Sequence, residues 1–482
     1  MSDVLIIGAG PAGMAAALAA RARDRRVVVL DASDAVGGQY WRHLPPERPS
    51  RREDLLHHGW TKFQTMRAQL EDDRHCEVVT SAHVWSIERG RIHVMVGAPD
   101  GADREPRVFE PAALVLATGA FDRTLPVPGW ELPGVFSAGG AQAFAKGERV
   151  AVGERVVVAG AGPFLLPVAA SLIGAGSTVA GVYEASRASN LVRHWSARPW
   201  ELLATPAKAA ELAGYAATLL RHRVAYVTGH AVTSIEGRDR VESVTVSAVD
   251  ASWRPVAGSE RSLAVDAVCL GHGFTPRIEL ALAAGCGLNS ERFVAVNDEQ
   301  RTTVATVFAA GEITGIGGVD LALVEGELAG HFASGGQRSD SAVRNLRLRR
   351  YVLRHFAERL ARAHPIGENW TSWLSDETIV CRCEDVSFAE IEAAAAATPS
   401  SGLRSLKLLT RAGLGPCQGR VCGRSLEHIL ATHGRDDHAF DTRSTDHRPV
   451  AMPIRLGELV GPTRTDSTMP HSTQQGKARK NG

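Results

Sequence analysis

The feature that most constrains this fold is a short pattern that occurs twice in the chain. Residues 4–7 are apolar and typical of a strand, and they are followed by the turn Gly8-Ala-Gly10-Pro-Ala-Gly13, an alanine-rich helix, and a second apolar strand that ends at Asp31. The same order of strand, glycine turn, helix and strand recurs from Val156 to Glu184. Such turns are typical of dinucleotide-binding units. We therefore expect an α/β fold with two Rossmann-like dinucleotide-binding domains, the second inserted in the first.

In the first turn each glycine has its own task. Gly8 permits the sharp turn, Gly10 lets the backbone approach a pyrophosphate at the helix N-terminus, and Gly13 allows the helix to pack closely on the strand. Asp31 lies 18 residues after Gly13, where a carboxylate accepts hydrogen bonds from ribose hydroxyls. A glycine pattern alone is a weak signal. The strand before it, the helix after it and the well-placed acid make this a candidate nucleotide site, but they do not decide between FAD and NAD.

The second turn departs from the first at one position. Gly160 and Gly162 repeat the glycines, but Leu165 stands where the third glycine belongs, and we expect its side chain to push the helix away from the strand. Glu184 still occupies the acid position, 22 residues after Gly162. Three alternatives stay open: hydride exchange with NAD(P), structural binding of an adenine nucleotide such as ATP, or no ligand. No Cys-x-x-Cys pair lies in this region, which excludes a dithiol mechanism of the thioredoxin-reductase type.

The remaining segments suggest how the domains are ordered along the chain. Two further apolar strands, Val265 to Leu270 and Val304 to Ala310, each end in glycine and indicate that the chain returns to the first domain. We therefore expect a first nucleotide-binding domain at 1–125 and 265–335, a second one at 126–264, a helical connector at 340–375, and a small domain at 376–434. The polar composition of residues 435–482 predicts a disordered tail.

Four cysteines lie in the small C-terminal domain and predict a metal site. Cys381 and Cys383 are separated by one residue, Cys417 and Cys422 by four. Four thiolates suit either tetrahedral zinc or an iron-sulfur cluster. Paired zinc ligands are generally separated by two to four residues, so the one-residue gap fits zinc poorly.

Composition and charge exclude several partners. The chain has 54 Lys and Arg against 53 Asp and Glu, so no global field attracts nucleic acid or an acidic membrane. The apolar N-terminal stretch is preceded by Asp3 and interrupted by glycines, unlike a signal peptide or a membrane span. The seven cysteines form an odd number, which favours a reducing compartment. We expect a cytoplasmic protein.

Several segments resemble the flavoprotein family that has two dinucleotide-binding domains. They are Gly37-Gly38-Gln39, Ala117-Thr-Gly119 and the stretch from Thr303 to Gly311-Glu312. The resemblance implies FAD at the first unit. It also implies that Glu312 lies at the flavin ribitol, where the family usually has Asp.

The cysteine region closely resembles the bacterioferritin-associated-ferredoxin type of domain, through Val380–Val386 and Thr410–Gly423. The resemblance implies a 2Fe-2S cluster on Cys381, Cys383, Cys417 and Cys422. It also implies that glycines such as Gly413 and Gly415 let backbone amides approach the sulfurs.

The stretch from Ala117 to Gln142, together with the order of the domains, resembles three groups of subunits. They are the larger subunit of opine oxidases, the B subunit of hydrogen cyanide synthase, and the alpha subunits of proline and hydroxyproline dehydrogenases. The resemblance implies that an amine is oxidised at a partner flavoprotein of the glycine/D-amino-acid oxidase type, while this chain handles the electrons. It leaves room for a further small ferredoxin-like subunit and for an FMN at a subunit interface, and it does not identify the amine.

Two other functions remain open from the sequence. One is a self-sufficient NAD(P)H-dependent reductase that passes electrons through FAD to the cluster. Leu165 argues against this function and Glu184 supports it. The other is a non-enzymatic assembly subunit whose cofactors are structural.

Overall fold

The computed structural model describes residues 3–45, 47–48, 53–197, 199, 205–397, 402–432 and 450–459. Within these ranges the strands are β1 (Val4–Ile7), β2 (Val27–Leu30), β3 (Cys76–Val79), β4 (Ala82–Glu88), β5 (Arg91–Val96), β6 (Glu105–Phe109), β7 (Ala113–Leu116), β8 (Ala120–Asp122), β9 (Val135–Ser137), β10 (Arg155–Gly160), β11 (Thr178–Glu184), β12 (Tyr226–Thr228), β13 (His230–Glu236), β14 (Ser243–Ala248), β15 (Arg261–Ala264), β16 (Ala267–Gly271), β17 (Phe274–Pro276), β18 (Val307–Ala309), β19 (Ile379–Cys381) and β20 (Val386–Ser387).

The helices of the same ranges are α1 (Pro11–Arg21), α2 (Trp60–Glu71), α3 (Ala138–Ala143), α4 (Leu165–Gly174), α5 (Ala188–Ser196), α6 (Pro206–Arg221), α7 (Glu279–Ala283), α8 (Gly318–Ala333), α9 (Ser341–Ala363), α10 (Phe388–Ala397), α11 (Leu403–Thr410), α12 (Gly423–Thr432) and α13 (Leu456–Leu459). Short helical turns occur at Glu53–Leu55, Phe144–Glu148 and Trp370–Trp373. None of the helices in this part of the chain is long and apolar enough to cross a membrane.

The first glycine turn belongs to a five-stranded parallel sheet with the order β18-β7-β1-β2-β3. The apolar residues of β1 and β2 are buried on both faces, as expected for a covered parallel sheet. Helices α1 and α8 pack together on one face: a Cβ at Gly326 would lie 2.0 Å from the carbonyl oxygen of Ala12, and one at Gly330 would lie 2.1 Å from that of Ala16. These contacts run in the same order along both helices. The helices are therefore parallel, and their N-termini lie at the same edge of the sheet.

The second glycine turn belongs to another five-stranded parallel sheet, with the order β12-β11-β10-β16-β9. It lies between β8 and β17 in the sequence, and those two short strands pair with each other in an antiparallel ladder. The chain therefore leaves the first sheet and comes back to it through adjacent strands. A three-stranded antiparallel sheet, β13-β14-β15, follows within the same insertion.

One expected strand assignment is wrong. The apolar run that begins at Val265 was expected to return to the first sheet, but β16 pairs with β10 in the second sheet, with Ala267 opposite Val156. The later strand, β18, does pair with β7 of the first sheet, as expected. An apolar strand that ends in glycine suits either parallel sheet equally well. Its position in the sequence therefore did not reveal its neighbour, and the inserted segment extends at least to Gly271.

The connector and the cysteine domain follow the second pass through the first sheet. The expected helical stretch is α9, which packs on α8 and on α5. The cysteine domain consists of the β19–β20 hairpin and α10 to α12. Its core is continuous with that of the second sheet, because Trp130, Trp253 and Trp373 pack in the same buried cluster as Val380 and Leu426.

The expectation of a disordered tail is wrong for residues 450–459. The backbone N–H of Ala451 donates to the carbonyl oxygen of Trp85 on β4 at 2.8 Å, and Arg104 donates to Glu458 on α13 at 2.8 Å. Both members of this ion pair are largely buried. The segment therefore packs on the β4-β5-β6 sheet. The rest of the expected tail, 435–449 and 460–482, lies outside the described residues.

Candidate functional site

Two glycines of the first turn are required by the fold itself. Gly8 has a φ of +107°, and a Cβ there would lie 2.2 Å from the carbonyl oxygen of Ala117. A Cβ at Gly13 would lie 1.7 Å from the carbonyl oxygen of Gly8. No side chain can be fitted at such distances. Gly8 therefore lets the end of β1 approach the end of β7, and Gly13 lets α1 pack directly against the end of β1.

Gly10 is different, because the protein does not need a glycine there. Its φ of −74° suits any residue, and the nearest atom to a Cβ would be Cα of Gly38 at 3.8 Å. No side chain caps the N-terminus of α1, which starts at Pro11. The N–H groups of its first turn are therefore available to an anion. The open space at Gly10 is the approach that a pyrophosphate needs.

Asp31 lies at the end of β2, beside the glycine turn. Its two carboxylate oxygens accept hydrogen bonds from the backbone N–H groups of Ala9 at 2.6 Å and Ser33 at 2.7 Å. An ionised carboxylate has about four acceptor positions, so these bonds fix the side chain and leave acceptor capacity for ribose hydroxyls.

The loop that contains Gly37-Gly38-Gln39 lies against the same turn. The N–H of Gly37 donates to the carbonyl oxygen of Ala9 at 2.8 Å. Gly38 has a φ of +60°, and a Cβ there would lie 2.8 Å from Cα of Gly10. Gln39 follows with an exposed side chain. Gly119, after β7, has a φ of +72° and open space around its Cβ position.

The turn Gly311-Glu312, after β18, brings a second acid to this edge of the sheet. A Cβ at Gly311 would lie 2.9 Å from Cβ of Ala12, in the first turn of α1. Glu312 is half-buried and accepts the N–H of Gly318, the first residue of α8, at 2.8 Å. Burial raises the pKa of Glu312 to about 7. The N-terminus of α1 is thus flanked by Asp31 on the β2 side and by Glu312 on the β18 side.

In the second turn the missing third glycine is accommodated. A Cβ at Gly160 would lie 1.7 Å from the carbonyl oxygen of Gly271, so this glycine is still required. Helix α4 begins at Leu165, five residues after Gly160, whereas α1 begins three residues after Gly8. Leu165 is fully buried, and its side chain approaches Gly271, where there is no Cβ to obstruct it. The helix therefore starts later, and its first turn differs from that of α1.

Glu184 holds the second turn as Asp31 holds the first, but it is covered. Its carboxylate accepts the N–H groups of Gly162 at 2.8 Å and Ser186 at 2.9 Å. The hydroxyl of Tyr226 lies 3.4 Å from Oε2, and Nδ1 of His364, at the C-terminal end of α9, lies 3.2 Å from the same oxygen. Glu184 is 0% exposed. Two protein side chains thus reach this carboxylate in addition to the two backbone N–H groups.

The structure brings the four cysteines together. Contacts between sulfurs join Cys381 to Cys422, Cys422 to Cys417, and Cys417 to Cys383. Within the described residues, no three His, Cys, Asp or Glu side chains are grouped around a single ion position. The sulfur contacts link the four cysteines in a row, in which Cys422 and Cys417 each contact two others. Four thiolates are the ligands that a 2Fe-2S cluster takes.

Two glycines allow the backbone to approach the sulfurs. The N–H of Gly413 donates to Sγ of Cys381 at 3.4 Å, and a Cβ at Gly415 would lie 2.3 Å from Cβ of Cys383. Cys381 and Cys422 are buried, whereas Cys383 is exposed. One edge of the sulfur group is therefore open to a partner and the opposite edge faces the core.

Hydrogen bonds among the thiols favour the thiolate form at two of the four cysteines. A hydrogen bond from Cys422 lowers the pKa of Cys381 to about 6 and that of Cys417 to about 4. Cys422, which donates both bonds, has a raised pKa for the same reason. Burial raises the pKa of Cys383, so Cys381 and Cys417 are the two cysteines that favour the thiolate, the form that binds a metal.

The basic residues near the cysteines are partly neutralised. Arg411 pairs with Glu384 at 2.7 Å, and Arg420 pairs with Glu279 of α7 at 2.7 Å. Arg382 lies over the ring of Trp130, 5.2 Å from its centroid. Two of these three cations are therefore paired with carboxylates.

Arg420 also fixes the cysteine loop to the first domain. Its pair with Glu279 is largely buried, and it donates in addition to the carbonyl oxygen of Ala451. A second largely buried pair joins Arg292 to Glu427 of α12. The cysteine domain is therefore held against both sheets.

Sequence reasoning missed three residues that shape the nucleotide sites. Glu325 of α8 accepts the N–H of Gly311 at 3.1 Å, Arg354 of α9 pairs with Glu325, and His364 covers Glu184. Each lies far in the sequence from the turn it contacts. No motif or spacing marks them.

The fold and the site define an FAD-dependent oxidoreductase with a small iron-sulfur domain. The sequence matches the Pyridine nucleotide-disulphide oxidoreductase family over residues 2–329 and the BFD-like 2Fe-2S binding domain over residues 379–432. The chain belongs to this oxidoreductase family and carries FAD- and 2Fe-2S-binding domains. FAD and a 2Fe-2S cluster are thereby confirmed as cofactor classes, whereas a second nucleotide and an interface FMN stay predictions.

Among curated proteins, the chain is 34% identical to the A subunit of opine oxidase from Agrobacterium tumefaciens (strain Ach5), across 99% of this chain and 93% of that protein. It is 30% identical to hydrogen cyanide synthase subunit HcnB of Pseudomonas protegens, across 90% of this chain and 93% of that protein. The solved structure of L-proline dehydrogenase from P. horikoshii matches with a TM-score of 0.63 and 20% sequence identity. The match covers 95% of this chain and 79% of the dehydrogenase chain. This last likeness shows the fold alone.

Proposed function

We propose that this chain is the electron-transferring subunit of a heteromeric dehydrogenase for an amino acid or opine-type amine. The C–N bond is oxidised at a partner flavoprotein of the glycine/D-amino-acid oxidase type. The observation that carries the proposal is the contrast between Asp31, whose carboxylate accepts backbone N–H groups alone among the described residues, and Glu184, whose carboxylate is also reached by Tyr226 and His364. A chain with one open flavin site and a cluster can accept and pass on electrons. The covered Glu184 opposes binding of a nicotinamide nucleotide at the second turn, because Tyr226 and His364 already reach the acid that would hold its ribose.

The names of the relatives support a role within a complex. The opine oxidase relative and HcnB are both named as subunits and match nearly the whole chain. These names favour a partner chain. The name of the first relative also favours an opine-type substrate for the complex.

In this proposal each residue of the first site has a separate part. The N-terminus of α1 binds the pyrophosphate beside Gly10, and Asp31 accepts hydrogen bonds from the ribose. Gly38, Gln39 and Gly119 line the open side, and Glu312 lies at the ribitol. When bound, FAD accepts an electron pair and the 2Fe-2S cluster passes electrons singly.

The second unit has a structural part in this proposal. Gly160, Gly162 and Glu184 hold the turn together through backbone hydrogen bonds, and the end of α9 closes it. A nucleotide such as NAD(P) or ATP would have to displace His364 to reach Glu184. The alternative function is a self-sufficient NAD(P)H-dependent reductase. The family match over residues 2–329 favours it, and the covering of Glu184 is the main argument against it.

The test compares the isolated chain with the assembled complex. Under anaerobic conditions, NADH should bleach the flavin of the isolated chain slowly or not at all. The isolated chain should not dehydrogenate amino acids, whereas the complex with its flavoprotein partner should couple amine oxidation to an artificial acceptor. Rapid flavin reduction by NADH in the isolated chain would refute the proposal and favour the reductase.

A cysteine variant tests the cluster separately. Cys417→Ser should lose iron and labile sulfide but keep FAD, since the two sites lie in different domains. Metal and sulfide analysis with flavin quantification checks this. The matched control is Cys286→Ser, since Cys286 is buried in the first domain against Thr302; its iron content should stay normal. Zinc without sulfide in the unmodified protein would contradict the cluster assignment.

A further inference from the structure

Glu325 of α8 carries a carboxylate that is completely buried beside the proposed flavin site. Its side chain is 0% exposed. One oxygen, Oε2, accepts the backbone N–H of Gly311 at 3.1 Å and the hydroxyl of Thr314 at 2.9 Å. Glu325 therefore holds both ends of the turn that begins at Gly311 and contains Glu312.

The other oxygen of Glu325 is held by two arginines of the connector helix α9. Nε of Arg350 donates to Oε1 at 3.2 Å, and Arg354, one helical turn later, donates to the same atom. Arg354 also donates to the carbonyl oxygen of Thr314 at 3.2 Å. A Cβ at Gly315 would lie 2.1 Å from the Arg354 guanidinium. The glycine thus makes room for the arginine.

These contacts form a continuous path from the connector to the flavin turn. A buried carboxylate without a counter-charge is strongly destabilising, so Glu325 depends on the two arginines. The arginines lie on the helix that leads directly into the cysteine domain. The Gly311–Thr314 turn is consequently fixed by a part of the chain outside the first sheet.

We propose that Arg350 and Arg354 are positioning residues for the flavin, which they serve by fixing the Gly311–Thr314 turn through Glu325. The proposal rests on the assignment of FAD to the first site. In this proposal, flavin binding depends on how α9, which precedes the iron-sulfur domain, packs against the Gly311–Thr314 turn.

The test uses the full chain freed of flavin and titrated with FAD at pH 7.5, with binding measured by flavin fluorescence. Arg354→Met should weaken FAD binding by about tenfold or more, since it removes charge-assisted hydrogen bonds from a buried group. The control is Arg347→Met on the same helix, whose pair with Asp298 is exposed. Such surface pairs contribute little, so the control should stay within about twofold of the unmodified protein.

A conservative variant covers the case in which Arg354→Met does not fold. Arg354→Lys keeps the charge but loses the fork that reaches both Glu325 and Thr314. It should fold and bind FAD about threefold more weakly than the unmodified protein. Affinity equal to that of the unmodified protein in every folded Arg354 variant would overturn the inference.

A pH series separates positioning from general destabilisation. The charges that face Glu312 are the Glu325 carboxylate on α8, which raises the pKa of Glu312, and Arg354 on α9, which lowers it. Ribitol hydroxyls donate to the ionised carboxylate, so FAD affinity should rise with pH as Glu312 ionises. The midpoint, the pH at which half of this rise in FAD affinity is complete, should be higher in Arg354→Met than in the unmodified protein, and it should be unchanged in Arg347→Met. An unmoved midpoint in Arg354→Met counts against the inference, whereas absence of FAD binding by the unmodified protein refutes the proposed function itself.

Discussion

The two glycine turns share one framework and differ in what reaches their acids. Both place a strand, a turn and a carboxylate in the same arrangement, and both carboxylates accept two backbone N–H groups. Among the described residues, no side chain donates a hydrogen bond to Asp31, whereas His364 and Tyr226 reach Glu184. The motif thus determines the turn. A helix more than 150 residues away in the sequence determines whether the acid is open to a ligand.

The largest effect is expected at the third glycine position, where the two turns differ most. Gly13→Val would force a Cβ to within 1.7 Å of the Gly8 carbonyl oxygen. We expect a loss of stability of more than about 3 kcal/mol and little folded protein. Leu165→Ala, the matched change in the second turn, should instead leave a cavity and cost about 2 to 5 kcal/mol without loss of FAD. Thermal unfolding and flavin content check both; a stable, flavin-loaded Gly13→Val protein would show that the close packing is unnecessary.

Gly10→Val should abolish FAD binding while leaving the fold intact. The position has a φ of −74° and no atom nearer than 3.8 Å to a Cβ, so we expect the side chain to fit beside the turn and to obstruct the incoming pyrophosphate. Circular dichroism and iron content should be normal, and flavin should be absent. Flavin retained at the normal level would remove Gly10 from the binding site.

The two acids should respond differently to removal. Asp31→Ala should weaken FAD binding by about 1 to 3 kcal/mol, through loss of hydrogen bonds to the ribose. Glu184→Ala should lower stability by about 1 to 3 kcal/mol, because it leaves buried donors without an acceptor, but it should not change FAD affinity. FAD titration and thermal unfolding of both variants measure this. If both variants lost FAD affinity equally, the conclusion that Asp31 binds the ligand and Glu184 does not would be wrong.

Local patterns in the sequence were enough for the parts that depend on local geometry. The glycine turns, the acids after each second strand and the cysteine pairs could be predicted because turn conformation and ligand chemistry are decided by neighbouring residues. The neighbour of β16 could not be predicted, because the sequence of an apolar parallel strand does not indicate which strand it pairs with. His364, Glu325 and Arg354 also escaped prediction, since their roles arise only when α9 packs on both sheets.

An effect confined to one pH range is expected at Glu312, the acid of the first site that has no counterpart in the second. Burial raises its pKa from 4.5 to about 7, so the folded protein keeps a proton that the unfolded chain has released. Its contribution to stability is therefore full below pH 4.5 and is lost as the pH rises to about 7. Glu312→Gln should remove this part of the pH dependence from the free energy of unfolding of the flavin-free protein, and the control Glu291→Gln, on an exposed loop, should not. If both variants follow the pH profile of the unmodified protein, Glu312 ionises normally and the carboxylate is charged throughout the neutral range.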